Sequence, residues 1–241
     1  MTYREQLTHE LAAYDIQLTD QQLALLLRHL ELVIDKNKVL NLTRIDTPES
    51  GITRHVVDSL LLLPAFQQTR GAFLDLGTGA GFPGVPLAIA SDRSGVLCDS
   101  VKKKVVALDE FIQELGLSEL LSTSSERAET LAASHKGQFG CVVARAVASL
   151  PVLLEYATPL LRRHGRVILT KGKLSDEERA QGAAAARLCG LKLVDVCELE
   201  LPRDEGHREI VVYEKVAPAK LKLPRAVGKA KKEPLGAPRG A

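Results

Sequence analysis

The chain has 241 residues, enough for one large α/β domain with a small accessory element and too many for a peptide-sized module. It is 45% hydrophobic and 26% charged, which excludes a disordered chain and leaves ample apolar surface for a core. The net charge of +2 is uneven: from Val216 onward seven basic residues face one acid, a net of +6, so the preceding body carries −4.

Residues 1–10 hold both charges and no apolar stretch, unlike a signal peptide, and the leucine-rich runs at 23–32 and 60–63 are too short to span a bilayer. A cytoplasmic protein without membrane contact is expected. A short helix is predicted over residues 4–14. A longer one starts behind Thr19, where Thr19 and Gln22 match a capping box ahead of Leu23, Leu26, Leu27, Leu30, Val33 and Ile34. A third is expected over 51–63, bounded by Pro48 and Pro64.

After Gly71, short β-branched runs alternate with amphipathic stretches, the pattern of βαβ units on a mostly parallel sheet. Strands are predicted at 72–76, 95–99, 120–124, 139–144, 166–170, 192–199 and 209–214, and helices at 85–91, 103–115, 127–134, 150–162 and 176–189. The last two strands lack an intervening helix and should pair as an antiparallel edge hairpin. Beyond Val216, four prolines and three glycines among the basic residues suggest an extended, mobile arm suited to a polyanion such as RNA. Four cysteines without a CxxC pair read as buried free thiols, and six histidines without HxxxH spacing supply no metal motif. No long heptad or spare apolar stripe argues for an oligomer, so a monomer is expected.

The sharpest local signal is Phe73-Leu74-Asp75-Leu76-Gly77-Thr78-Gly79-Ala80-Gly81-Phe82-Pro83-Gly84, placed where a strand gives way to a helix. Alternate glycines Gly77, Gly79 and Gly81 allow a tight turn and close approach of a nucleotide-like ligand. Asp99, at the end of the next strand, stands where a carboxylate can accept from a ribose diol. Two ligand classes remain open: a dinucleotide, whose pyrophosphate Asp75 would repel, and S-adenosylmethionine, whose cationic amino group Asp75 would favour. A purely structural Asp75 at a strand end or helix cap is the third reading.

Further segments narrow the choice. Asn37-Lys38, Asn41-Leu42-Thr43, His55 with Asp58-Ser59, the glycine loop, Asp99-Ser100 with Lys103-Lys104, Arg127-Ala128-Glu129, Ala144-Arg145-Ala146, Lys171-Gly172 and Arg208 together resemble the RsmG family, also called glucose-inhibited division protein B. The resemblance covers nearly the whole chain, including Pro224-Arg225 and Lys232-Glu233-Pro234-Leu235. It implies a class I S-adenosylmethionine-dependent methyltransferase fold, Rossmann-like and seven-stranded, that methylates N7 of a guanosine in bacterial small-subunit (16S) ribosomal RNA, either as RNA or in the 30S particle. The residue pattern itself divides the chain into a helical region (1–68), a cofactor-binding domain (69–215) and the basic tail (216–241). By position, Gly77 and Phe82 become cofactor contacts, Ala128 and Glu129 meet the adenine, and Arg145 lies on the cofactor or the substrate side.

The residues also bear on the chemistry directly. No Pro-Cys or Thr-Cys nucleophile is present for attack at pyrimidine C5, and Ala144-Arg145-Ala146-Val147 stands where an exocyclic-amine methylase would carry an Asp/Asn-Pro-Pro-aromatic clamp. Guanine N7 loses no proton, so its methylation needs positioning more than acid/base help. Arg145 and Lys171, at carboxyl ends of central strands, are the candidates for substrate orientation. Arg145 is suited to stacking on a base, gripping phosphate, or pairing with Asp75 or Glu129. His55, Asp58 and Arg208 read as packing and capping residues. A non-catalytic RNA-binding or ribosome-assembly factor and a dinucleotide-dependent oxidoreductase are the competing classes, although nine Phe and Tyr make a poor base-stacking platform.

Overall fold

A computed structural model describes residues 1–45, 47–145 and 147–237. The N-terminal layer opens with α1 (Tyr3–Ala12) and α2 (Asp20–Leu40), each entered through a full capping box, Thr2 with Glu5 and Thr19 with Gln22. Asn41 closes α2 in the left-handed conformation. A helical run follows as α3 (Pro48–Gly51), a π-helical segment (Ile52–Val57) and α4 (Asp58–Leu60). Pro64 does not end it as expected: it sits in the first turn of α5 (Leu63–Gln67), where its missing N–H costs nothing.

The α/β part runs β1 (Phe73–Leu76), α6 (Gly84–Ser91), β2 (Gly95–Cys98), α7 (Lys102–Glu114), β3 (Leu121–Ser124), α8 (Ala128–Ser134), β4 (Phe139–Arg145), α9 (Leu150–Ala157), β5 (Leu161–Lys171), α10 (Asp176–Cys189), β6 (Leu191–Glu200) and β7 (His207–Lys215). The sheet order is β3-β2-β1-β4-β5-β7-β6. The first five strands are parallel, and β7 enters antiparallel between β5 and the edge strand β6. The order reverses between β1 and β4, which opens a crevice at their carboxyl ends. Helix α9 is shorter than the predicted 150–162. Pro159 cannot donate the next helical bond, and Leu160 and Leu161 are drawn fully into the core as β5 begins.

Strand alternation sorts the core onto two faces. Phe73, Cys141, Val143 and Ile168 pack with the N-terminal helices, α6 and α7, while Leu74, Leu76, Val142 and Leu169 pack with α8, α9 and α10. The first cluster runs without a break from Leu7 of α1 into the sheet.

Two further expectations are corrected. The tail is not an extended arm up to residue 237. Val216 and Ala217 donate to the Gly190 carbonyl, a turn of helix α11 forms at Lys229–Lys232, Leu223 and Leu235 pack on the α9 side, and Ala230 is buried. Apolar anchors and buried carboxylates on the body overcome the propensity of its prolines and glycines. Pro238 and Arg239 lie outside the described residues. Cys98, Cys141 and Cys189 are buried free thiols, but Cys197 is exposed because β6 is an edge strand. That edge also exposes Leu193, Val194 and Val196. Among the described residues no helix is long and apolar enough to cross a membrane.

Candidate active site

The glycine loop leaves β1 at the crevice. The amides of Gly77 and Thr78 both donate to the Cys98 carbonyl, at 2.7 and 3.0 Å, binding the loop to the end of β2. Gly77 has φ +73°, and a side chain there would strike Val147 just beyond β4. Gly79, at φ +61°, faces open space, so the loop backbone is accessible there. Gly81 closes the turn, donating to Thr78 and accepting from Val85. The Gly79 amide donates to Asp99 Oδ2 at 3.1 Å, and Asp99 Oδ1 accepts from Val101 at 2.9 Å. The second strand thus delivers its carboxylate to the loop.

Asp75 shares the sheet face of Phe73, so its side chain points under α6. Its Oδ2 accepts from Gly84 N at 2.8 Å at the start of that helix, while Oδ1 is buried without a partner. Burial pushes the carboxyl up to about 7, against the pull of the Thr78 hydroxyl and the Gly84 amide. The helix-cap reading therefore describes one oxygen. The other is an orphan acceptor, of the kind a cationic ligand group satisfies.

His29 of α2, which no sequence motif marked, anchors the loop from the helical layer. Fully buried, it is held down to about 4 by desolvation, so its neutral ring donates from Nε2 to the Ala80 carbonyl at 2.9 Å. Phe82 is buried in a ring stack, 4.6 Å from His29 and 4.5 Å from His55. Its side chain consequently fastens the loop to the helical layer.

Arg145 ends β4 and turns toward the same layer. It donates to Asp58 Oδ2 at 2.9 Å, to the Arg54 carbonyl at 2.9 Å and to His55 Nδ1 at 3.1 Å. Its carboxylate partner is thus Asp58, not Asp75 or Glu129. Arg208 at the start of β7 donates to the other Asp58 oxygen at 2.7 Å, so Asp58 gathers two strand ends. His55 is driven far below neutrality, chiefly by burial and then by Arg145. With Nδ1 accepting from Arg145, its proton belongs on Nε2, 2.9 Å from Thr43 Oγ1. This explains His55, Asp58 and Arg208 as a structural set.

Lys171 ends β5 beside Arg145 in register, since Arg145 pairs with Thr170. Its Nζ donates to the Ala148 carbonyl and pairs with Glu178, both at 2.9 Å. Arg54, Arg145, Lys171 and Arg208 line a cavity of about 320 Å³ at these carboxyl ends. Ala128 and Glu129 open α8, but Glu129 Oε1 accepts from Gly228 N at 2.8 Å, which turns its carboxylate to the tail. Among the described residues no cluster of three His, Cys, Asp or Glu side chains is placed to hold a metal ion.

The solved structure of geranyl diphosphate methyltransferase in complex with SAM superposes with TM-score 0.55 at 12% identity, covering 67% of this chain and 85% of that one. The Burkholderia thailandensis 1,6-didemethyltoxoflavin-N1-methyltransferase, solved with S-adenosylhomocysteine, gives 0.55 at 14%, covering 84% and 92%. The fold is that of class I S-adenosylmethionine-dependent methyltransferases. In sequence, the Desulfitobacterium hafniense ribosomal RNA small subunit methyltransferase G is 38% identical over 92% of this chain and 92% of its own length. The Deinococcus radiodurans protein of the same name is 42% identical over 86% of this chain and 83% of its own. The family model GidB, rRNA small subunit methyltransferase G, matches residues 22–210. The expected resemblance thus holds along the body, and this chain belongs to the rRNA small subunit methyltransferase G family.

Proposed function

We propose that the protein methylates N7 of a guanosine in bacterial small-subunit ribosomal RNA, working in the cytoplasm on the RNA or on the 30S particle. S-adenosylmethionine supplies an electrophilic methyl group. Asp99 accepts from the ribose diol, the open backbone at Gly79 and the turn at Gly77 admit the cofactor, and the orphan oxygen of Asp75 favours its ammonium. Ala128 borders the adenine. Arg145 and Lys171 shape the substrate side: the four cations around that cavity attract phosphate and hold the guanosine in line.

The observation that carries the N7 assignment is the chemistry of this lining. His55, its one imidazole, has its lone pair engaged by Arg145 and titrates far below neutrality, and Asp58 is spent on two arginines. Neither can take a proton from an amine, and guanine N7 has none to give. A methyl at N7 leaves a cationic, easily depurinated guanine. After incubation with the cofactor and small-subunit RNA or particles, borohydride and aniline should cut the RNA at the modified nucleotide. Methyl incorporation without an aniline-sensitive site would overturn the N7 assignment.

A further inference from the structure

The amino-terminal end of the sheet, remote from the crevice, carries a second concentration of positive charge. β4 and β5 begin there and β7 ends there. A cavity of about 740 Å³ is bordered by Lys136, Arg162, Arg163, Lys215 and Lys222. A second of about 300 Å³ adjoins it through Arg162 and adds Arg70 and Arg166. The one carboxylate in either lining is Glu214, and it is occupied by His164 at 3.1 Å and Arg166 at 3.5 Å.

Arg70, Lys136, Arg163 and Lys222 are exposed, and among the described residues their side chains enter no hydrogen bond or ion pair. Four unspent cations gather on a protein whose first 215 residues carry a net −4, so the cluster does not follow from composition. Tail docking helps to build it, because Lys220 N donates to the Leu188 carbonyl and the following turn sets Lys222 opposite Arg162 and Arg163.

We propose that this surface binds the phosphate backbone of the substrate RNA at a distance from the reacting base. The inference rests on the ribosomal RNA reading above. Guanidinium groups suit bidentate capture of phosphate. Neither lining contains Phe or Tyr, so the surface offers nothing on which a base could stack. The eleven residues of β5 separate it from Lys171 by roughly 30 Å, a span that only an extended RNA can bridge.

The test is equilibrium binding of the full-length protein to purified small-subunit particles over a salt series. A triple variant, Lys136→Glu with Arg163→Glu and Lys222→Glu, is compared with a control of equal charge change, Arg187→Glu with Lys192→Glu and Lys231→Glu. The first triple should bind particles about tenfold or more weakly at low salt, with a log–log salt slope shallower by about two to three. Its affinity for S-adenosylhomocysteine should be unchanged, which also reports an intact fold, and the control should stay within about twofold of the unsubstituted protein. Neutral replacements, Lys136→Gln with Arg163→Gln and Lys222→Gln, should give a smaller loss of the same kind.

Unchanged particle affinity overturns the proposal, as does an equal loss in the control, which would indicate bulk charge. A loss with an unaltered salt slope overturns it too, since the contact would then be with ribosomal protein. Failure of the unsubstituted protein to methylate the RNA would bear on the reaction instead, because the binding comparison does not depend on turnover.

Discussion

With its carboxyl group buried beneath α6, Asp75 titrates near neutrality rather than near 4, because desolvation outweighs the Gly84 amide bond and the neighbouring Thr78 hydroxyl. In the free protein it therefore holds a proton that the unfolded chain has already lost, and its contribution to stability falls as pH rises from about 4 to about 7. A cofactor ammonium beside Oδ1 reverses that preference. Calorimetric affinity for S-adenosylmethionine should be several-fold weaker at pH 6 than at pH 7.5, and Asp75→Asn should flatten the difference. Equal affinity at the two pH values would place the ionised carboxylate outside the cofactor site. His29 shows the complementary case. Its pKa is lowered by burial to about 4, so the stability it provides is complete above about 6.5 and is lost as pH falls toward 4. His29→Ala should cost about 2 to 4 kcal/mol in denaturant unfolding at pH 7, from the cavity it leaves and the loop carbonyl it abandons.

At the scale of elements, the tail acts through two carboxylates of the body, one paired with a tail arginine and one bonded by a tail amide. Arg225 grips buried Glu155 with two bonds, Nε to Oε1 at 2.7 Å and Nη2 to Oε2 at 2.5 Å. Gly228 N meets Glu129 at the first turn of α8. Arg225→Met should strand Glu155 without a partner and lower unfolding stability by roughly 3 kcal/mol. The companion Glu155→Gln/Arg225→Met should recover part of the loss, because no buried charge is left unpaired. A single variant as stable as the parent would show the tail merely resting on the surface.

For the molecule as a whole, the decisive feature is a shared core. Leu7, Leu26 and Leu30 of the helical layer lie in one cluster with Phe73, Val143 and Ile168 of the sheet, and His29, Phe82, His55 and Asp58 knit the layers around the glycine loop. Neither layer can open without exposing the other. Scanning calorimetry should show one transition with equal calorimetric and van't Hoff enthalpies. A separate low-temperature transition from the N-terminal helices would show that the layers fold independently.

Much of this was legible in the linear pattern. The Thr19/Gln22 capping box, the glycine loop between a strand and a helix, Asp99 at the end of β2 and the 176–189 helix all depend on residues close in sequence, where local propensity and periodicity act. The hairpin of β6 and β7 followed from the missing helix, though its insertion beside β5 did not. What the sequence could not reveal was long-range pairing. Arg145 had several plausible carboxylates, and the choice of Asp58 depends on how α4 lies across the ends of β4 and β7. His29 carries no motif because its partner, Ala80, is a backbone carbonyl 51 positions away. The tail's prolines and glycines predicted an arm, while its leucines and Arg225 found buried partners on α9. Composition and short-range pattern determined the fold class and the cofactor loop of this protein; tertiary structure alone decided which charges are spent on one another and which remain free, because burial and distance set the worth of a charge.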